Sequence, residues 1–213
     1  MPFNQGQLYE QDIRNILKSR NLLPSDLKGN DAGFIRNHVD YFIEVKNKIA
    51  HDFGQKRVNY DPLTKQWSWG EKDIVTDLYD AIGVIGKIKD FEPRKYTVPT
   101  DRFTKADKIF DQGEFKQNNI TLDDTSYLYE FYARKGCYYI QIEGKGFYYL
   151  KTDAAALTVP QFKPELNLRL RAKTHHSTPA YDYSFMVVLE TRTKDMLASP
   201  FDLEGKVGAF PSI

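Results

Sequence analysis

Apolar positions near the start of the chain recur at helical spacing. They predict a first helix over residues 7–20, in which Leu8 or Tyr9, Ile13, Ile16 and Leu17 form an apolar stripe and Arg20 continues the same helical spacing. Pro24 follows and would end the helix. Glu10 lies at the edge of the stripe, so the helix carries a carboxylate close to its packed face.

A second helix is predicted over residues 72–90, where one stripe consists of Ile74, Leu78, Ile82, Ile85 and Ile88. Gly83 and Gly86 would weaken this helix or allow close packing. Residues 91–126 are polar and contain proline, which predicts a connecting region with little regular structure. From Tyr127 onwards the pattern is β-rich, and strands are predicted at residues 138–143, 146–151, 166–172 and 183–190.

Residues 31–46 predict a β-hairpin between the two helices. Asn37 and His38 suit a two-residue turn because asparagine tolerates positive φ, and a four-residue loop would keep the same register. In that register Asp31 stands directly opposite Glu44, with Cβ atoms about 5 Å apart. Two carboxylates at that distance repel each other unless a cation lies between them. The hairpin therefore predicts a cation site.

Hard divalent cations held by carboxylates neutralise a scissile phosphate and activate water, and Mg²⁺ prefers oxygen ligands. Asp31 and Glu44 can each give one oxygen, and the backbone carbonyl of Val45 can give a third. Lys46 shares a strand face with Glu44, so its amine could hold the attacking water or stabilise negative charge. Glu10 could add a further carboxylate. Without a metal, the same hairpin would be a solvated element with a Glu–Lys pair on its polar face.

These residues resemble the motif of the PD-(D/E)xK nuclease superfamily. Asp31 matches the first acid, Glu44-Val45-Lys46 matches the (D/E)xK tripeptide, and Asn30 stands where the superfamily often has proline. A glutamate on the preceding helix is common there, which corresponds to Glu10. The segment from Gly29, with Glu-x-Lys at close range, is similar to a branch of type II restriction enzymes. Asp40 is a competing acid, but at four residues from Glu44 along a strand it lies about 13 Å away.

The resemblance implies a restriction-endonuclease-like α/β (α+β) core, with a mixed central sheet flanked by helices and a β-rich C-terminal part. It implies dependence on Mg²⁺ and cleavage of double-stranded DNA. Residues 1–126 would form the catalytic core, and residues 127–213 would complete the sheet and contact DNA, or both would form one continuous domain. Two-strand cutting of palindromic sites further predicts a homodimeric, sequence-specific type II restriction enzyme. The alternatives are a structure-specific phage or repair nuclease, a catalytically inactive DNA-binding module, and an interaction protein.

The net charge of +1 gives no overall attraction to DNA, so basic contacts must be local. Residues 134–173 carry a local excess of Lys and Arg, and the predicted DNA contacts are Arg169, Arg171, Lys173, Gln141 and Lys145. Arg169, Arg171 and Lys173 would alternate onto one strand face, which could equally be an ordinary charged outer face. Gln55 could orient water or contact a phosphate, and the other interpretation of residues 52–55 is a plain turn.

The remaining chemistry of the chain is limited. The single cysteine, Cys137, excludes an intrachain disulfide and favours a reducing, cytoplasmic location. No stretch approaches the roughly 18 apolar residues of a membrane span. His175 and His176 are adjacent and would point to opposite sides of a strand, so no zinc site is expected. Trp67 and Trp69 could pack in a core or stack on bases.

Overall fold

The computed structural model describes residues 4–47, 50–117, 120–122, 124–174 and 181–213, so His175 and His176 lie outside the described residues. The helices are α1 (Gln5–Ser19), α2 (Ile74–Ala81), α3 (Val84–Ile88), α4 (Arg94–Thr97), α5 (Lys105–Gln117) and α6 (Ser126–Arg134). The strands are β1 (Ala32–Arg36), β2 (Val39–Lys46), β3 (Ala50–Asp61), β4 (Gln66–Trp69), β5 (Ile120–Leu122), β6 (Cys137–Ile142), β7 (Gly146–Tyr149), β8 (Glu165–Thr174) and β9 (Tyr183–Arg192).

These elements form two compact units that interleave along the chain. The first unit consists of Met1–His51, Asp124–Glu165 and Arg192–Ile213. The second consists of Asp52–Asp123 and Leu166–Thr191. Neither unit therefore coincides with residues 1–126 or with residues 127–213. Within the described residues, every helix is too short or too polar to cross a membrane.

The first unit contains a mixed sheet in the order β1-β2-β6-β7. β2 pairs in parallel with β6, while the β1–β2 and β6–β7 pairs are antiparallel. The mixed sheet predicted from the sequence is thus confirmed. Helix α1 packs Tyr9, Ile13 and Leu17 into a buried cluster with residues of this sheet, including Phe34 and Ile43. Leu8 is 50% exposed, so the apolar stripe begins at Tyr9.

The predicted hairpin and its register are confirmed. Ala32 pairs with Ile43, and Arg36 pairs with Val39. The two turn residues, Asn37 and His38, have φ angles of 51° and 63°, which is the left-handed conformation that a type I′ turn requires. Extending the register by one residue places Asp31 opposite Glu44.

Helix α6 corrects the prediction that the chain becomes β-rich from Tyr127. Its buried residues, Leu128, Phe131 and Tyr132, follow helical spacing, and the helix packs against β6. The aromatic residues favour strands by propensity, but the periodicity of the buried positions decided the structure. The four strands predicted after this helix are confirmed as β6, β7, β8 and β9.

The second unit contains a sheet in the order β4-β3-β9-β8-β5. Strands β3 and β4 were not predicted, and the plain turn over residues 52–55 is wrong because these residues belong to β3. Gly54, with φ of 58°, interrupts the alternation of that strand and hides it from the pattern. Trp67 and Trp69 are buried, in keeping with packing in a core.

The single helix predicted over residues 72–90 is also wrong. Gly83 adopts a φ of 75° and separates α2 from α3. The predicted irregular region contains α4 and α5 instead. Helix α5 lacks a clear apolar stripe because the buried position Asp111 is a carboxylate, which accepts hydrogen bonds from the backbone N–H groups of Arg94 and Lys95 and from the hydroxyl of Tyr183.

Candidate active site

The hairpin brings two carboxylates to one amine in the first unit. The ammonium of Lys46 contacts Oε1 of Glu44 and lies 3.5 Å from Oδ2 of Asp31. The Glu44 side chain is only 7% exposed. Its charge is therefore compensated by a partner, as a buried carboxylate requires.

Two opposing effects act on the amine of Lys46. Burial lowers its pKa, but the nearby carboxylates of Glu44 and Asp31 raise it, and the net result is a pKa above the ordinary lysine value. Lys46 is therefore charged at neutral pH. The ammonium of Lys46 is thus within ion-pair distance of both predicted metal ligands, Asp31 and Glu44.

The backbone at Val45 is oriented by Asp31. Oδ2 of Asp31 accepts a hydrogen bond from the N–H of Val45 at 3.0 Å, while the carbonyl of Lys46 accepts from the N–H of Glu143 on the β6 side. In a strand, the N–H and C=O of one residue point to the same edge, and successive residues alternate. The Val45 carbonyl therefore faces the edge on which Asp31 lies, so it is available as a third oxygen beside the two carboxylates.

Helix α1 brings Glu10 towards the same cluster. Burial raises the pKa of Glu10, and the charge of Asp31 raises it further. Glu10 lies 3.9 Å from Arg14, one turn along the helix. The Arg14 Nε donates a hydrogen bond of 2.5 Å to the backbone carbonyl of Asp31, which ties the helix to the start of the hairpin.

Tyr132 of α6 and Lys135, which caps the C-terminus of that helix, complete the surroundings of Glu44. The ammonium of Lys135 lies 3.5 Å from Oε2 of Glu44. The buried hydroxyl of Tyr132 lies beside the same carboxylate, and burial together with that charge raises the pKa of Tyr132. Neither residue was predicted to belong to this site. No spacing in the sequence connects residue 135 with residue 44, because the parallel pairing of β2 with β6 is what brings them together.

The residues of this site fit a hard divalent cation. Within the described part of the chain, no group of three or more His, Cys, Asp or Glu side chains converges to hold a metal. Mg²⁺ needs fewer protein ligands, since it is usually bound by one or two carboxylates and keeps several waters. Asp31 and Glu44 form such a pair, with an ammonium already between them. Oε2 of Glu44 faces the ammonium of Lys135 at 3.5 Å, a cation that a divalent ion could replace.

The predicted DNA contacts on β8 already have partners within the second unit. Arg169 donates to both oxygens of Asp52, each at 2.7 Å, and lies 3.2 Å from Glu190. Arg171 pairs with Asp52 at 3.2 Å and donates to the side-chain oxygen of Gln55. The arginines do share one face of the strand, and the charges of that face are largely balanced. Their DNA contacts and the auxiliary role of Gln55 stay predictions.

Gln141 cannot read bases as predicted, because its side chain is fully buried. Its amide nitrogen donates to Tyr9 and to Asp202, and its oxygen accepts from the backbone of Leu203. Lys145 donates to two backbone carbonyls of a neighbouring loop, those of residues 194 and 196, at 3.0 and 2.6 Å. Lys173 is exposed at the end of β8. Of the predicted DNA contacts, Lys173 is therefore the most accessible.

Comparison with known proteins gives one finding, and it concerns the fold. The sequence matches no family profile and no curated protein. Among solved structures, the chain is similar to HhaI endonuclease in complex with DNA, with a TM-score of 0.51 and 9% sequence identity. The similarity covers 89% of this chain and 91% of that one. The chain therefore has a restriction-endonuclease-like fold, as its resemblance to the PD-(D/E)xK superfamily implies.

Proposed function

We propose that this protein is a Mg²⁺-dependent endonuclease that hydrolyses phosphodiester bonds in double-stranded DNA. The observation that carries the proposal is the convergence of Asp31 and Glu44 on the amine of Lys46. This cluster is built by a hairpin on a mixed sheet of a restriction-endonuclease-like fold. Acids and a lysine in that arrangement suit hydrolysis of a phosphate ester, which needs neutralised charge and an oriented water.

Each residue of the cluster has a proposed role. Asp31, Glu44 and the carbonyl of Val45 would hold the ion, which supplies positive charge at the scissile phosphate and lowers the pKa of bound water. Lys46 lies beside both carboxylates, where its ammonium orients the attacking water and stabilises charge that develops on the phosphate. Glu10 is an auxiliary acid on the helix that borders Asp31.

We further propose that the enzyme is a sequence-specific type II restriction enzyme that acts as a homodimer. Cutting both strands requires two sites, and two-fold symmetry matches a palindrome. The similar endonuclease was solved in complex with DNA, which supports DNA as the partner. Lys173 would supply phosphate contacts, together with Arg169 and Arg171, which precede it on β8.

The test is incubation of the purified protein with plasmid DNA and Mg²⁺, in parallel with Lys46→Ala and with Lys18→Ala as the matched control. Lys18 is exposed in the last turn of α1. Wild type and the control should cut, and Lys46→Ala should not. Discrete fragments support a restriction enzyme, whereas cleavage confined to junctions or flaps indicates a structure-specific nuclease. Gel shifts with Ca²⁺ but no cutting with any divalent metal would overturn the nuclease proposal in favour of an inactive DNA-binding module.

A further inference from the structure

The carboxylate of Glu44 has a lysine on each side. We propose that Lys135 is a positioning residue that neutralises Glu44 in the metal-free protein and thereby makes binding of the divalent cation depend on bound DNA. This inference rests on the proposed function and names a regulation of the same site. The juxtaposition that carries it is Lys46 against Oε1 and Lys135 against Oε2 of one buried carboxylate.

The exposures of the three side chains define their roles. Glu44 is 7% exposed, Lys46 is 22% exposed and Lys135 is 38% exposed. Lys46 extends from the strand itself and contacts both acids, so it stays in the cluster. Lys135 reaches the carboxylate from the solvent side and, among the acids of the cluster, is within ion-pair distance of Glu44 only. The ammonium of Lys135 can therefore move away from Glu44 without any rearrangement of the hairpin.

The side chain of Lys135 is guided by the helix that ends beside it. Its ammonium lies 5.5 Å from the ring centres of both Phe131 and Tyr132. Cations at this distance from aromatic faces are attracted by the rings, and a lysine at a helix C-terminus is favoured by the helix dipole. Lys135 caps α6 in this way. Both effects keep the amine near Glu44 when nothing else binds there.

The charges in the cluster explain the dependence on DNA. Asp31 and Glu44 carry two negative charges, Lys46 and Lys135 carry two positive ones, and Glu10 beside them pairs with Arg14 at 3.9 Å. A divalent cation that enters alone meets an already balanced site and two ammonium groups that repel it. A DNA phosphate beside the ion restores the balance, and it also offers Lys135 a new anionic partner. The ion and the DNA should therefore bind cooperatively, and Lys135 should be responsible for part of the coupling.

The direct test is a titration of the whole protein with Mn²⁺ in the absence of DNA. Electron paramagnetic resonance of the free ion measures how much Mn²⁺ is bound. Lys135→Met removes the charge but keeps an unbranched apolar chain over the two rings, and Lys135→Gln is a second neutral variant. Both should bind Mn²⁺ about tenfold more tightly than wild type, because typical couplings between sites span about 5- to 150-fold. Lys135→Arg should bind as wild type does, and Lys18→Met controls for loss of an exposed lysine.

The second arm repeats the titration with a duplex whose phosphates resist cleavage. The duplex should tighten Mn²⁺ binding to wild type by about tenfold and should tighten binding to Lys135→Met clearly less. Equal or weaker Mn²⁺ binding by both neutral variants without DNA, with thermal unfolding unchanged, would overturn the inference.

Failure of the coupling role of Lys135 and failure of the nuclease proposal give different results. If wild type cuts DNA but the neutral variants bind Mn²⁺ no more tightly, the coupling role of Lys135 fails and the nuclease proposal stands. If wild type does not cut but the neutral variants bind Mn²⁺ more tightly, the nuclease proposal fails and the coupling stands. Absence of Mn²⁺ binding in every variant, with or without the duplex, overturns both.

Discussion

Two charged clusters, one in each unit, behave differently in this molecule. In the first unit, Asp31 and Glu44 face lysines, whose ammonium groups act as point charges, each 3.5 Å from one carboxylate oxygen: Lys46 from Oδ2 of Asp31 and Lys135 from Oε2 of Glu44. In the second unit, the guanidinium of Arg169 binds both oxygens of Asp52 in a bidentate pair and also meets Glu190. The arginine holds its carboxylate with two parallel hydrogen bonds, whereas each lysine meets Glu44 as a single point charge that another cation can replace. A charged pattern in a sequence does not distinguish the two, but the pairing geometry does.

The largest expected effect concerns the lysine cluster of the first unit. Asp31→Asn keeps the shape and an oxygen that can accept from the Val45 N–H, but it removes one negative charge from the proposed metal site. We expect initial cleavage rates to fall by about 10³-fold, the scale of losing an electrostatic group at a reacting phosphate. Asp40→Asn is the matched control, since Asp40 is exposed on the strand that follows. Equal rates for the two variants would remove Asp31 from the site.

The next prediction tests whether the buried side-chain amide of Gln141 stabilises the fold rather than contacts DNA. Gln141→Leu leaves the hydroxyl of Tyr9, a carboxylate oxygen of Asp202 and the backbone N–H of Leu203 without this partner in a buried region. We expect a loss of about 2–3 kcal/mol in the free energy of unfolding, because buried polar groups are costly when left unpaired. Chemical denaturation measures it. A stable variant with altered cleavage sites would restore the base-reading role of Gln141.

A smaller effect is expected where the arginine cluster is opened. Asp52→Ala removes the shared partner of Arg169 and Arg171. We expect the free energy of unfolding to fall by about 1 kcal/mol, since these side chains are partly exposed. Removing one negative charge from this face should also strengthen DNA binding at low salt if the face meets phosphates. Unchanged affinity in gel shifts across a salt series would show that the face lies away from DNA.

The smallest effect is expected for the exposed residue that continues the arginine face. Lys173→Ala should weaken DNA binding a few-fold and reduce the salt dependence of the binding constant by about one unit of slope, the contribution of one phosphate contact. It should leave the pattern of cut sites unchanged, because a phosphate contact carries no base identity. Filter binding at several salt concentrations measures the slope. A changed cutting pattern would instead make Lys173 a base contact.

Local features are predictable from this sequence, and features that depend on distant segments are not. The hairpin register follows from the Asn37-His38 turn and strand alternation, and these two local signals are enough to set residue 31 opposite residue 44. Lys135 could not be found this way, since its approach to Glu44 depends on α6 and on the β2–β6 pairing. Helix α5 was missed because Asp111 takes a buried position that the pattern expects to be apolar. Gly54 hid β3 for the opposite reason, by disturbing an alternation that the strand otherwise follows.

The parallel pairing of β2 with β6 has a consequence during protein synthesis. All of Asp52–Asp123 lies between these two strands in the chain, so a ribosome must complete that segment before β6 can join the hairpin. Contacts so far apart in sequence form late. A nascent chain would carry the acidic hairpin without its sheet neighbour and without Lys135. A site that needs both strands would thus be completed only after residues 137–142 of β6 have been made and have joined the hairpin, and shorter nascent chains would lack it.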